Sequence, residues 1–275
     1  GGIMVPAMLR FGYSKKYAGA VAASGGALGI LIPPSNPFLV YGIIASQSIA
    51  ALFLAGLIPG LLMAVALAIT ASLLVTRVRS MSNPDMSEME KGRAEPVKKL
   101  SFVEAVTSVW EAKWSLLAVV LLLGGIYAGI FTPIEAAEVT VVYTLIVGIL
   151  ITRKMKAQDI YTALARTLKL TGTVIIVVAA AASFAKLLTI MQVPQRLGAS
   201  IALISSNPKV ILLIIMAIMI FIGTWMETFS QIIIMTPIFL PVVTALGVDP
   251  IHFGVLFVVT AEIGFLTPPV GGNLW

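Results

Sequence analysis

Three stretches of this sequence, Ile49 to Val75, Trp114 to Phe131 and Val210 to Met226, contain no charged residue. Roughly 17 to 25 apolar residues carry a helix across a bilayer core, so each stretch is long enough to span one. A soluble fold has no use for three such runs in a single chain. Hydrocarbon offers no partner to a bare peptide group, so a continuous apolar run in lipid must close its hydrogen bonds within itself, as a helix. Composition agrees: 59% of the residues are hydrophobic and 11% charged, against roughly 45–50% and 25% in soluble domains.

Read in order, the chain divides into roughly eight membrane segments. The expected fold class is therefore all-α and polytopic. The net charge of +6 does not indicate nucleic acid, because the Lys and Arg residues collect between apolar runs, which is the positive-inside pattern. That bias places 77–113 and 152–169 in the cytoplasm, two spans apart, and the turn at 10–16 with them. The turn Gly247 to Pro250 has no Lys or Arg and falls outside. With no cysteine in the chain, a disulfide framework or thiolate metal site is excluded. The expected organisation has four parts: 1–76, a first-repeat segment with a helix broken at 33–37; 77–113, a cytoplasmic linker and interfacial helix; 114–170, membrane spans and a cytoplasmic connection; 171–275, a second-repeat segment with a hairpin near 223–228 and a helix broken at 267–271. Thr132-Pro133-Ile134-Glu135 has the spacing of a capping box. The chain begins and stops inside apolar segments, which reads as truncation at both ends.

The sequence repeats itself. A shift of 235 residues lays Pro6 on Pro241, Gly12 on Gly247, Gly19 on Gly254, Gly29 on Gly264, Pro33 on Pro268 and Pro34 on Pro269, without a gap. The first copy follows a basic, cytoplasmic turn and the second an acidic, external one, so the copies are expected to face opposite ways. Inverted repeats with an interrupted helix in each half mark secondary transporters. Proline has no N–H and disfavours helix in the residue before it. Two in succession therefore open the backbone ladder, and the freed carbonyls persist in a membrane only where protein or a wet cavity covers them. The plainer reading of each break is a structural kink.

Freed carbonyls suit hard cations such as sodium, and helix N-termini suit anions. Gly29, Ile32 and Ser35 in the first copy, and Gly264, Thr267 and Val270 in the second, are the candidate sodium ligands, joined by Gly223 and Glu227 of the hairpin tip. Ser35, Asn36, Thr267, Gly271 and Asn273 are the candidates for a solute carboxylate. Ser35 and Asn36 have a second reading as caps of the helix restarting after the break, and Glu227 as a ligand of backbone N–H groups. Lys186 and Glu262 are ionisable groups inside apolar runs, which makes each a functional candidate. Lys186 also sits where a side chain snorkels, while Glu262 is read equally as a cavity lining or as one half of a buried pair. His252 at the external turn reads as an interfacial or capping residue rather than a ligand, and Trp110 and Trp114 as members of an interfacial belt.

The stretches Gly26 to Pro37 with Val40-Tyr41-Gly42, Gly125 to Ala137, Thr236 to Pro241, Asp249 to Gly254 and Thr267 to Leu274 resemble the large membrane subunit of tripartite ATP-independent periplasmic (TRAP) transporters, the DctM-like family. The resemblance implies two helical hairpins and two broken helices in an elevator-type transport domain beside a scaffold. It also implies a DctQ-like small membrane subunit, a periplasmic solute-binding protein that delivers a small carboxylate, and Na+ as coupling ion. The implied setting is the bacterial inner membrane, with no enzymatic reaction. Family members are longer, and the first hairpin is expected upstream of Gly1. In agreement, no Gly-rich loop ending in Lys-Ser/Thr is present. Two other classes stay open from the residues alone: a carrier of a related inverted-repeat family that takes free solute, and a channel.

Overall fold

The computed structural model of the chain describes residue 2 and residues 4–80, 102–202 and 207–269. Val270, Gly271 and Asn273 lie outside the described residues, as does the loop expected over 80–96 except for Ser80 itself, which ends a helix. Among the described residues all regular structure is helical. Among the described residues four helices are long and apolar enough to cross a membrane, or five if one bent pair counts as a span, and three shorter apolar helices accompany them. The chain is a multi-pass membrane protein. It forms two compact units, one of residues 1–47, 51–99 and 195–275, the other of residues 48–50 and 100–194.

The first unit holds α1 (Met4–Arg10), α2 (Lys15–Leu31), α3 (Asn36–Ala45) and α4 (Ile49–Ser80). The linker expected from residue 77 thus begins four residues inside α4, because charge alone does not stop a helix. Pro59 lies within α4 without ending it. The second unit contains α5 (Phe102–Glu111), α6 (Lys113–Tyr127), α7 (Pro133–Ile146) with a π-helical turn at Val147–Ile151, and α8 (Ala157–Ile190). After α9 (Val193–Ala202), the first unit is completed by α10 (Pro208–Gly223), α11 (Thr228–Ala245) and α12 (Pro250–Phe265).

The repeat is visible bond by bond. At the end of α1, Gly12 takes φ +81°, and the N–H groups of Gly12 and Tyr13 donate to Leu9 and Met8 carbonyls at 3.0 and 3.1 Å. At the end of α11, Gly247 takes φ +77°, and Gly247 and Val248 donate to Thr244 and Val243 at 3.0 Å each. Every one of these positions differs by the same 235 residues. Only glycine adopts such a φ without steric cost, which is why this helix-ending turn keeps it. Two residues on, Ser14 caps α2 by accepting from the Tyr17 N–H, and Asp249 caps α12 by accepting from Ile251 and His252. His252 therefore takes part in the cap through its backbone.

In the second unit, the Thr132 hydroxyl accepts from the Glu135 N–H at 3.3 Å, and the Glu135 carboxylate accepts from the Thr132 N–H at 2.8 Å. The expected capping box is present. The Tyr143 hydroxyl donates to the Trp114 carbonyl at 2.9 Å, tying α7 to α6. Lys113 Nζ stands over the Trp110 ring at 4.3 Å and the Trp114 ring at 5.5 Å. One expectation changes here. The expected boundary between the parts 114–170 and 171–275 falls inside α8, which runs unbroken from Ala157 to Ile190. No proline interrupts 157–190, and Ala, Leu and Gln favour helix. At 1.5 Å per residue, α8 is about 50 Å long, well beyond a bilayer core of about 30 Å. Arg166 and Lys169 therefore lie on an extension of a spanning helix. Lys186 is exposed on its later half.

The core of the first unit forms where α3 meets α11 and α12. Tyr41 packs with Phe253 and Phe257 at ring-centroid distances of 6.5 and 6.2 Å. Its hydroxyl donates to the Pro250 carbonyl at 2.7 Å, and its ring occupies the place a side chain on Gly254 would need. On α4, Gly56 receives the Phe38 ring and Gly60 the Ile32 side chain. That is the glycine spacing by which membrane helices approach closely. It holds α4 against both sides of the first break.

Candidate functional site

The first break starts where α2 ends. Gly29 and Ile30 would pass their carbonyls to the N–H groups of residues 33 and 34, but both are proline and have none. Ile32 is extended, at φ −80° and ψ 127°, and the Pro33–Pro34 peptide is cis. Helix then resumes as α3, turned by 40° from α2. Ser35 is the N-cap of α3: it is buried, and its hydroxyl accepts from the Phe38 N–H at 3.4 Å. The capping alternative for Ser35 is thus realised, while Asn36 is exposed in the first turn. Gly29 and Ile32 are exposed as well, and a methyl group on Gly29 would meet nothing within 4 Å.

The second break repeats the device. Gly264 and Phe265 stand four residues before Pro268 and Pro269, and the Pro268–Pro269 peptide is again cis. The Gly264 carbonyl accepts from the Thr267 N–H at 2.8 Å, which leaves it one further lone pair. The Thr267 hydroxyl donates to the Ile263 carbonyl at 2.7 Å and the residue is exposed.

The hairpin α10–α11 meets this second break directly. Gly223, the last residue of α10, lies so close to Gly264 that a Cβ on Gly264 would sit 2.8 Å from Gly223 Cα and 2.7 Å from the Ile220 carbonyl. Two of the candidate ion ligands are therefore in backbone contact. Glu227 is exposed and caps α11, its carboxylate accepting from the Ser230 N–H at 3.2 Å.

Three buried polar side chains stand behind this contact. Glu262 is fully buried and accepts from the Thr228 hydroxyl at 2.7 Å, so it has the partner that one of its two readings required. Gln231 is fully buried, and its amide nitrogen donates to the Met219 carbonyl at 2.7 Å. That bond turns its Oε1 toward Gly223, with no hydrogen-bond partner. Thr228 and Gln231 were not anticipated. Their signal was two polar residues three apart in an apolar helix, which puts them on one face. The resulting site offers carbonyl, amide, hydroxyl and carboxylate oxygens, the donor set of a hard cation, beside the capped N-terminus of α11.

Apolar helices that stop at equivalent double prolines of two repeats, the second with buried oxygen donors packed against it, are the build of a polytopic membrane permease. Over residues 1–275 the chain matches the family described as "Tripartite ATP-independent periplasmic transporter, DctM component". It is 40% identical to the isethionate TRAP transporter permease protein DctMQ of Oleidesulfovibrio alaskensis, covering all of this chain and 41% of that protein. It is 37% identical to the C4-dicarboxylate TRAP transporter large permease protein DctM of Pseudomonas aeruginosa, covering all of this chain and 61% of that one. With the sialic acid TRAP transporter large permease protein SiaM of Vibrio cholerae it shares 36% identity over 96% of this chain and 58% of the relative. The chain belongs to the DctM family of TRAP transporter large permeases, which are transport proteins and not enzymes. It spans between 41% and 61% of the length of these relatives.

Proposed function

We propose that this chain carries the transport segment of a sodium-coupled permease for small organic acids in the bacterial inner membrane. One observation supports this reading above others: the same double proline recurs 235 residues apart, with the buried Ser35 hydroxyl at the first and the buried Thr228, Gln231 and Glu262 beside the second. Sodium is held by the carbonyls of Gly29 and Ile32 with Ser35 at the first break, and by Gly223, Glu227, Gly264, Thr267 and Val270 at the second. The solute carboxylate lies toward Ser35, Asn36, Thr267, Gly271 and Asn273. The two copies face opposite ways across the membrane, and the segment moves as an elevator against a scaffold.

The named substrates of the relatives, isethionate, C4-dicarboxylates and sialic acid, share small size and an acidic group. A solute of that class, delivered by a periplasmic binding protein to a permease paired with a DctQ-like small subunit, is the reading the family supports best. A charge crossing 100 mV of membrane potential carries about 2.3 kcal/mol. Two net charges therefore supply roughly 4–5 kcal/mol, enough for about a thousandfold gradient.

The test is reconstitution of the full-length permease with its small subunit and binding protein in proteoliposomes. Saturable uptake that needs both the binding protein and an inward sodium gradient is the expected result. Uptake of free solute without the binding protein would assign a carrier of a different inverted-repeat type, and non-saturable flux a channel.

A further inference from the structure

The hairpin tip is held by three ties that close into a triangle. Gln231 on α11 donates to the Met219 carbonyl on α10. Thr228 on α11 donates to Glu262 on α12. Gly264 on α12 rests against Gly223 at the end of α10. Each pair of helices thus has a tie within about a turn of the tip. Two of the ties are hydrogen bonds between groups withdrawn from solvent, where a donor or acceptor left alone is costly. The third is a contact between bare backbones that admits no side chain.

We infer that Glu262 and Thr228 are positioning residues that latch the hairpin tip onto the second break. Thr228 directly follows the cap residue Glu227 at the tip, and Glu262 stands two residues before Gly264. Their bond therefore fixes the two backbone segments that the proposed function assigns to ion binding. Neither residue needs to touch the ion. Glu262 serves as acceptor and Thr228 as donor, and the register of Gly223 on Gly264 follows from that bond. Gln231 keeps the two hairpin limbs together, so that fixing one limb fixes both.

The role as a latch rests on the sodium-coupled reading only for its functional readout, so the experiment has two arms. In the first, the full-length permease with its partners carries Thr228→Val, Glu262→Ala or both, and the sodium concentration for half-maximal uptake is measured at matched membrane abundance. Losing one bond to a buried carboxylate raises that concentration roughly tenfold. The double variant is no worse than Glu262→Ala alone, because that substitution already removes the tie. Thr228→Ser, which restores the hydroxyl, and Glu262→Gln, which keeps a carbonyl acceptor, return it toward the parent value.

In the second arm, spin labels on Trp225→Cys and Ile263→Cys, both exposed positions, report the distance across the tip. It is narrow in the parent and broad in Thr228→Val and Glu262→Ala. Distances unchanged in both variants would overturn the proposal, as would Glu262→Gln as impaired as Glu262→Ala, since charge rather than the bond would then matter. A parent permease indifferent to sodium refutes the coupling and leaves the distance arm to judge the latch.

Discussion

Gly29 and Gly264 hold the same place in two copies of one motif, four residues ahead of a double proline, yet their surroundings are opposite. A methyl group on Gly29 would enter open space, whereas on Gly264 it would strike Gly223 and the Ile220 carbonyl. Gly19 and Gly254 differ in the same way: nothing lies near the first, and the Tyr41 ring covers the second. The repeat thus conserves how the chain turns and breaks, while each copy is held by different neighbours. The first break is held by apolar packing: Phe38 against Gly56, Ile32 against Gly60 and a buried Ser35 cap. The second is held by buried polar bonds to a hairpin. A double proline dictates the interruption in both; what covers it is a matter of tertiary structure.

Substitutions at matched positions break or sharpen this contrast. The largest effect is expected from Gly264→Ala, where overpacking against backbone costs about 1–3 kcal/mol and displaces the hairpin. Thermal unfolding of the full-length permease in detergent should fall, with loss of uptake. Tyr41→Phe removes the bond to the Pro250 carbonyl and leaves the ring packing, for about 1 kcal/mol in the same assay. Ser35→Ala removes a long cap bond of 3.4 Å and costs about 0.5 kcal/mol. Gly29→Ala keeps the carbonyl and meets nothing, so stability is unchanged or rises by a few tenths of a kcal/mol. If Gly29→Ala and Gly264→Ala were equally damaging, the contrast between the copies would be wrong.

Much of the fold was legible because its signals are local. The breaks, the cap at Thr132 and the turn glycines Gly12 and Gly247 each follow from residue types within a few positions. The length of α8 was not legible: Arg166 and Lys169 read as part of a cytoplasmic basic stretch, whereas a helix continues through charge where it leaves the lipid. The site was legible in its backbone part only. Glu262 finds Thr228 from 34 residues away, and Gln231 reaches Met219 from 12. Such pairings depend on how helices dock, which neither periodicity nor turn chemistry encodes. The role of Ser35 as a cap was readable from its place after Pro34; its burial was not.

The central claim is that the two breaks bind sodium, and thiol labelling of a repeat-equivalent pair addresses it most directly. Ile32 and Thr267 are 235 residues apart, both exposed, and this chain has no cysteine of its own. In the full-length permease, with any cysteine outside this segment replaced, Ile32→Cys and Thr267→Cys are labelled with a small thiol reagent in sodium or in choline. Protection of both positions by sodium, and by sodium alone, is the predicted result. Labelling rates at both positions that do not change between the two cations would contradict it.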